Sequence, residues 1–190
     1  VSINLGWFWH NNFYYLFKKN RTAKDLADIY FKTVGGNATL LLNVPPNKDG
    51  LIDKREQKTL RKFTKLINEP FRSEIKNVSF FVINDTLDER KLDENGFKFC
   101  DDECTIKASF SEKETASTVV IREDLRFSQR VESFRLYVKD ENGYTEIYKG
   151  TVIGSKKIVR LNKKVQTNEL LLAVTRTRGN PVIRDIAFYN

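Results

Sequence analysis

Residues 34–52 of the 190-residue chain read Val-Gly-Gly-Asn-Ala-Thr-Leu-Leu-Leu-Asn-Val-Pro-Pro-Asn-Lys-Asp-Gly-Leu-Ile. The run from Thr39 to Val44 is almost continuously apolar, with glycine on one side and a Pro-Pro turn on the other. An apolar run of this length predicts a strand that is buried on both faces, as in a parallel sheet covered by helices. The stretch therefore predicts an α/β fold at this point of the chain.

One amphipathic helix is predicted before this strand and one after it. Thr22 and Asp25 form a capping-box pattern before the first helix, and Gly35-Gly36 ends it. Asp53 and Glu56 form a second capping signal, and Pro70 closes the second helix. That helix has a predicted buried stripe of apolar residues, namely Leu60, Phe63, Leu66 and Ile67. With a short strand expected in residues 1–10, the order is strand, helix, strand, helix, which is two units of an α/β fold and less than a domain.

Beyond residue 70 the pattern changes to short β-branched segments separated by polar turns. Regular short strands with such turns predict an antiparallel sandwich or barrel. The predicted strands lie near residues 75–83, 104–110, 117–121, 131–139, 144–152, 157–161, 169–175 and 182–189. We therefore place a boundary at Glu69-Pro70-Phe71, between residues 1–70 and residues 71–190. The length excludes a complete (β/α)₈ barrel, which takes about 250 residues.

The net charge of +8 comes mainly from the first part of the chain. Residues 1–70 contain 12 Lys and Arg against 6 Asp and Glu. Between Lys54 and Lys65 the basic residues alternate with apolar ones at helical spacing, which favours the solvated face of an amphipathic helix over a phosphate-binding patch. No zinc-finger spacing, RNP signature or glycine-rich phosphate loop occurs, so we predict no nucleic-acid partner. No apolar run approaches the roughly 18 residues of a membrane span.

The cysteines and the glycosylation sequons indicate less about function than the features above. Cys100 and Cys104 form a lone C-x₃-C pattern, and the single histidine, His10, is ninety residues away, so no metal site is predicted. A local disulfide and two free thiols both remain open. Four Asn-x-Ser/Thr sequons occur, which we interpret as chance sequons in an Asn-rich chain: Asn20, Asn37, Asn77 and Asn84.

The segments Gly6-Trp7-Phe8-Trp9-His10, 26–30 and 34–52 resemble the α-L-fucosidases of glycoside hydrolase family 29. Members of that family carry a V-G-x-N-x-x-L-L-L-N-x-x-P-x-x-x-G stretch on the last barrel strand and its loop. Glu123-Asp124-Leu125, Gln129-Arg130-Val131 and residues 151–158 are similar to the C-terminal sandwich of one branch of these enzymes. The resemblance implies that residues 1–70 are the last strands and helices of a (β/α)₈ barrel. It implies that residues 71–190 are an antiparallel β-sandwich of galactose-binding-like (discoidin) type.

The resemblance also implies an exo-acting, retaining enzyme that removes terminal α-L-fucose from glycans, with no cofactor. Its nucleophile aspartate and acid/base glutamate belong to barrel segments before the Gly6–His10 motif, so no catalytic residue is expected in this chain. Trp7 is expected to pack against the methyl group of fucose, with Trp9 and His10 at the pocket or on its wall. Asn43 ends the last barrel strand and is expected to face the catalytic side. The alternatives are that the aromatic residues plug the barrel, that His10 is structural, and that the Asn43 amide organises the Pro-Pro turn.

The expected partners are a fucosylated glycan and the N-terminal remainder of the barrel. An extracellular, periplasmic or lysosome-like compartment is expected rather than the cytoplasm. The alternative function is a non-catalytic carbohydrate-binding sandwich with an N-terminal appendage. Tyr144, Tyr148 and Arg178 are the candidate sugar contacts of the sandwich, although we favour a packing role for this domain.

Overall fold

The computed structural model describes residues 1–4, 20–83, 89–91, 98–99 and 104–190. The chain divides into two compact units. The first contains Val1–Val34 and Ala38–Glu69, and the second contains Gly35–Asn37 and Pro70–Asn190. The tripeptide Gly35–Asn37 therefore belongs to the second unit, although the segments on both sides of it belong to the first.

The first unit contains the two predicted helices. Helix α1 spans Ala23–Thr33 and begins with the complete capping box, in which the Thr22 hydroxyl accepts from the Asp25 amide and the Asp25 carboxylate accepts from the Thr22 amide. Helix α2 spans Lys54–Asn68 and is capped by Asp53, whose carboxylate accepts from the Arg55 amide. The Tyr30 and Phe63 rings meet edge to face at 6.2 Å between α1 and α2. Both helices are confirmed where the sequence predicted them.

The apolar run Thr39–Val44 differs from its prediction. Residues 39–44 form no regular strand, and only Asn43 makes an isolated parallel bridge, with Ser2. Leu41 is 82% exposed, and Leu66 of the predicted buried stripe of α2 is also exposed. A strand is buried on both faces only when neighbouring elements cover both of them. Among the described residues, only the segment Val1–Asn4 runs alongside this part of the chain.

The second unit is an antiparallel β structure, as the sequence predicted. Every pairing among its described strands is antiparallel. The strands are β1 (Val78–Ile83), β2 (Glu89–Lys91), β3 (Lys98–Phe99), β4 (Cys104–Glu123), β5 (Val131–Asp140), β6 (Gly143–Gly150), β7 (Lys157–Thr177) and β8 (Val182–Tyr189). Two pairs of predicted short strands are in fact two long ones, because β4 and β7 each continue through the segment that the sequence suggested was a break.

The two long strands belong to two layers. The first part of β4 pairs with β1 and with the last part of β7, which continues to β5 and β6. The last part of β4, Thr118–Ile121, lies between β8 and the first part of β7. Register shifts in β4 at Ser109/Glu114 and Ala116/Thr118 separate the two parts. Such irregularities bend a strand, so the arrangement is sandwich-like.

The core lies between these layers. Phe188 of β8 stacks on Phe80 of β1 at 6.3 Å and meets Phe110 of β4 edge to face at 5.1 Å, although β8 and β1 are not paired. In β5 the buried residues Phe134, Leu136 and Val138 follow the period of two that their sequence predicted. Burying a side chain of this size contributes about 1.5–3 kcal/mol. The hydrophobic effect is therefore the main stabilising term of the second unit.

A buried carboxylate organises the loops at one end of this core. Glu123, at the end of β4, is 2% exposed. Its Oε1 accepts from the backbone amides of Arg130 at 2.8 Å and Val131 at 3.0 Å, and its Oε2 accepts from the Gly154 amide at 2.6 Å. The Glu123 amide in turn donates to the Gly154 carbonyl at 2.8 Å. One side chain thus connects the start of β5 with the turn that follows β6.

We predict that Glu123→Ala lowers the free energy of unfolding of the second unit by about 3 kcal/mol, because it leaves buried amides without an acceptor. Urea denaturation followed by circular dichroism measures the change. Glu141→Ala is the matched control, since Glu141 is exposed in the β5–β6 turn. A loss for Glu123→Ala no larger than that of the control would contradict the role given to this carboxylate.

Candidate functional site

Of the four residues predicted to contact substrate, the structure describes only Asn43. Trp7, Trp9 and His10 lie outside the described residues. Asn43 follows Leu41 and Leu42 and precedes Val44 and the Pro-Pro turn, and its side chain is exposed. Its neighbours therefore define the described part of the candidate site.

Asn43 is bound to the segment that leads into the aromatic motif. Its backbone amide donates to the Val1 carbonyl at 2.7 Å, and its carbonyl accepts from the Ile3 amide at 3.0 Å. The Asn43 side-chain amide donates to the Ser2 hydroxyl at 3.3 Å, and that hydroxyl donates to Oδ1 of Asn4 at 2.9 Å. Ser2 and Asn4 are buried. A chain of polar side chains therefore leads from Asn43 through Ser2 to Asn4.

The turn that follows Pro45-Pro46 is organised by the side chain of Asn47. Oδ1 of Asn47 accepts from the amides of Asp49 at 3.0 Å and Leu51 at 2.9 Å. Gly50 closes this turn with a positive φ of 75°. The Asn43 amide donates to Ser2 instead, so Asn43 is bound to the Val1–Asn4 segment.

Sequence reasoning missed the contacts of a second asparagine, Asn37. The amide and the hydroxyl of Ser155 both donate to Oδ1 of Asn37, at 2.8 and 2.9 Å, and its Nδ2 donates to Oε1 of Gln129 at 2.9 Å. Next to it, the Ile158 amide donates to the Gly35 carbonyl at 3.0 Å. Asn37 has a φ of 67°, a conformation that asparagine tolerates better than most residues. The sequence signals for Asn37 are its sequon and its place within the Val34–Ile52 stretch that carries the family resemblance, and neither identifies these partners.

Gly154 connects the Asn37 contacts with the Glu123 contacts. Its amide donates to the Glu123 carboxylate, while its Cα faces the Asn37 side chain so closely that a Cβ there would clash with the amide group. Its φ of 61° also favours glycine. The segments that carry the family resemblance in the second half of the chain are thus brought together around these three residues.

Asp124, the acidic residue next to Glu123, stabilises the short helical turn that follows it. The Asp124 carboxylate accepts from the Arg126 guanidinium at 2.6 to 3.1 Å and from the Arg126 amide at 3.1 Å. These hydrogen bonds and the guanidinium charge lower the pKa of Asp124. The carboxylate therefore stays ionised at neutral pH and caps the short 3₁₀ helix Leu125–Phe127.

The candidate sugar contacts of the sandwich do not converge. Tyr144 pairs with Lys139 and Arg178 follows Thr177, which pairs with Val131, so the two lie at opposite ends of β5. Eight strand residues separate these ends by about 26 Å. The Tyr144 hydroxyl donates to Glu169, Arg178 is paired with Glu132, and Tyr148 packs against Phe134 at 5.8 Å. Each of the three has a structural partner, and they do not form one binding site.

The described residues bring no three or more His, Cys, Asp or Glu side chains together in a way that would hold a metal ion. Cys104 is disulfide-bonded, and Cys100 lies outside the described residues. Of the two states left open for the cysteines, the disulfide is the one found for Cys104. None of the helices in the described part of the chain is long and apolar enough to cross a membrane.

Comparisons with known proteins find similarity to alpha-L-fucosidases. Residues 1–69 match the family model described as alpha-L-fucosidase. Alpha-L-fucosidase 1 of Arabidopsis thaliana is 28% identical over 208 residues, an alignment that covers 100% of this chain and 39% of the plant protein. The chain thus spans about two fifths of the length of this curated relative.

Solved structures are also similar to this chain over its whole length. The Ruminococcus gnavus GH29 fucosidase E1_10125, in complex with fucose, superposes with a TM-score of 0.79 at 26% identity, over 100% of this chain and 40% of its own. The crystal structure of SpGH29 superposes with a TM-score of 0.83 at 26% identity, over 100% of this chain and 43% of its own. The antiparallel second unit therefore matches the β-sandwich-like C-terminal region of such proteins.

We predict that Asn37→Ala destabilises the second unit by about 2 kcal/mol. The substitution removes three hydrogen bonds, and alanine tolerates the positive φ at this position less well than asparagine does. Asn37→Gly is expected to cost less, since glycine removes the conformational part of the loss. Chemical denaturation of both variants measures which of them loses more stability. Asn168→Ala, at an exposed position, is the control. Equal stability of Asn37→Ala and the control would show that these hydrogen bonds contribute little.

Proposed function

We propose that this chain, which is similar over its whole length to the C-terminal part of glycoside hydrolase family 29 α-L-fucosidases, completes an exo-acting, retaining α-L-fucosidase. The observation that carries the proposal is the alignment of all of this chain with about two fifths of each relative. The substrate class is a glycan or glycoconjugate with terminal α-L-fucose. The fucose bound in the Ruminococcus gnavus relative supports this choice of sugar.

Within this proposal, residues 1–70 are the end of a (β/α)₈ barrel and residues 71–190 are a galactose-binding-like sandwich. The order of α1, the apolar run and α2 supports the first assignment. The antiparallel pairing and the two layers of the second unit support the other.

The N-terminal remainder of the barrel is the proposed partner of the first unit. Large apolar side chains are exposed in that unit, namely Val1, Leu41, Leu51, Ile52 and Leu66. Leu41, within the apolar run, is 82% exposed, and Leu51, after the turn that follows it, is 64% exposed. Neighbouring barrel strands and helices would cover these side chains, and about three fifths of the length of the Arabidopsis relative lies outside its alignment with this chain.

In a retaining mechanism, a carboxylate attacks the anomeric carbon while a carboxylic acid about 5–5.5 Å away protonates the leaving oxygen. Water then releases the sugar, with the second group acting as base. Both groups belong to the N-terminal remainder in this proposal. The acids near the motif have other places in the structure: Asp25 caps α1, and Asp49 lies in the turn organised by Asn47.

The proposed contribution of this chain is substrate binding. Trp7 would cover the methyl group and the apolar face of fucose, with Trp9 and His10 beside it. Asn43 would contribute its exposed amide, and its hydrogen bonds to Val1, Ser2 and Ile3 would hold the segment that leads to Trp7. We place the protein in an extracellular, periplasmic or lysosome-like compartment, where the Cys104 disulfide is stable.

The proposal is tested by activity on a nitrophenyl α-L-fucoside. The chain joined to the N-terminal remainder of its parent is expected to hydrolyse the substrate with retention of anomeric configuration, observed by NMR. The remainder alone is expected to be inactive. Glycan binding by this chain with no hydrolysis from the joined protein would instead favour the non-catalytic carbohydrate-binding function.

We predict that Trp7→Ala in the joined protein lowers kcat/KM for the fucoside about ten- to hundredfold, the amount expected for losing one buried aromatic contact. Trp7→Phe should recover part of this loss, because a smaller aromatic ring still covers the methyl group. Phe127→Ala, which changes an exposed aromatic residue of the second unit, is the control. Wild-type kinetics for a folded Trp7→Ala variant would contradict the role of Trp7.

A further inference from the structure

One face of α2 carries a continuous stripe of positive charge. The residues at its centre are Lys54, Lys58, Arg61 and Lys65, spaced at i, i+4, i+7 and i+11. This spacing places side chains one above another on a single helix face. All four are exposed, and Lys62 lies exposed on the flank of the stripe. At 1.5 Å per residue the stripe is about 16 Å long.

The burial of the opposite face of α2 shows that the stripe points away from the rest of the first unit. Glu56 is fully buried, and Leu60, Phe63 and Ile67 are half-buried on that side, where Phe63 contacts Tyr30 of α1. The fixed orientation leaves the basic side chains on the solvent side. A shallow groove runs along them, lined by Lys54, Gln57, Lys58, Arg61, Lys62 and Lys65.

The cations of the stripe are not neutralised by ion pairs with described residues. Within the described part of the chain, none of its five cations forms an ion pair with a carboxylate. Like charges at i, i+4 destabilise a helix slightly, so this arrangement is unfavourable for α2 by itself. An anionic ligand that spans several of the cations would remove this repulsion and release bound counterions.

We propose that this stripe binds an anionic polysaccharide, that is, a glycan chain bearing sulfate or carboxylate groups along its length. Four of the five cations are lysines, which act as point charges and suit singly placed sulfate or carboxylate groups. The stripe contains no aromatic side chain on which a base could stack, so single-stranded nucleic acid is the less favoured polyanion. The proposal goes beyond fucose hydrolysis, because the stripe would hold the charged body of a glycan at a place other than the sugar pocket.

The test uses dextran sulfate, with binding of the protein measured by isothermal titration calorimetry at several salt concentrations. The variant is Lys54→Gln, Lys58→Gln, Arg61→Gln and Lys65→Gln together, since glutamine has nearly the same helix propensity as lysine and arginine. We expect its affinity to fall at least about tenfold, and the slope of log K against log salt to decrease by about three to four, as for the loss of that many ionic contacts. Circular dichroism and thermal unfolding check that the variant folds.

The matched control removes the same charge from the second unit, through Lys76→Gln, Lys113→Gln, Lys149→Gln and Lys163→Gln, all at exposed positions. It is expected to retain wild-type affinity apart from a small effect of net charge. Equal losses in the two variants would overturn the proposal, because net charge would then explain the binding. Tighter binding of single-stranded DNA than of dextran sulfate would overturn the choice of a polysaccharide. The test does not depend on fucosidase activity, so the two proposals fail independently.

Discussion

The second unit depends on how one buried carboxylate is satisfied. Within the described residues Glu123 forms no ion pair, and three backbone amides stabilise it instead, from Arg130, Val131 and Gly154. A carboxyl group is costly to bury unless hydrogen bonds replace those it makes to water. The chain can provide these amides only if the loop before β5 and the turn after β6 come to the end of β4 together. One electrostatic requirement therefore fixes the positions of three separate segments, and Asn37 binds to the site that they form.

The sequence predicted local structure well where the cause of that structure is local. The capping box at Thr22 and the cap at Asp53 fixed both helices, because the donors and acceptors are only two or three residues apart. The alternation in β5 likewise predicted which of its residues are buried. The irregular segments in the middle of β4 and β7 suggested strand ends, but the structure continues both strands through them. Whether a chain bends or stops there is decided by pairing with distant residues, which periodicity does not report.

The site was less predictable for the same physical reason. The hydrogen bonds of Asn37 are to residues about 90 and 120 positions away, Gln129 and Ser155. The exposure of Leu41 could not be predicted either, since burial is a property of the neighbours rather than of the apolar run itself. The position of Asn43 after the apolar run is evident from the sequence. Its hydrogen bond to Ser2 can be found only from the structure, because the two residues are far apart in the chain.

The sharing of β4 and β7 between the two layers has a consequence for evolution and for engineering. A sandwich whose layers have separate strands can lose, gain or exchange one layer while the other persists. Here each of the two long strands begins in one layer and ends in the other, so the layers are covalently continuous at two places. An insertion within either long strand would therefore disturb both layers, whereas an insertion in a connecting turn, such as the one at Glu141-Asn142, would leave the shared strands intact.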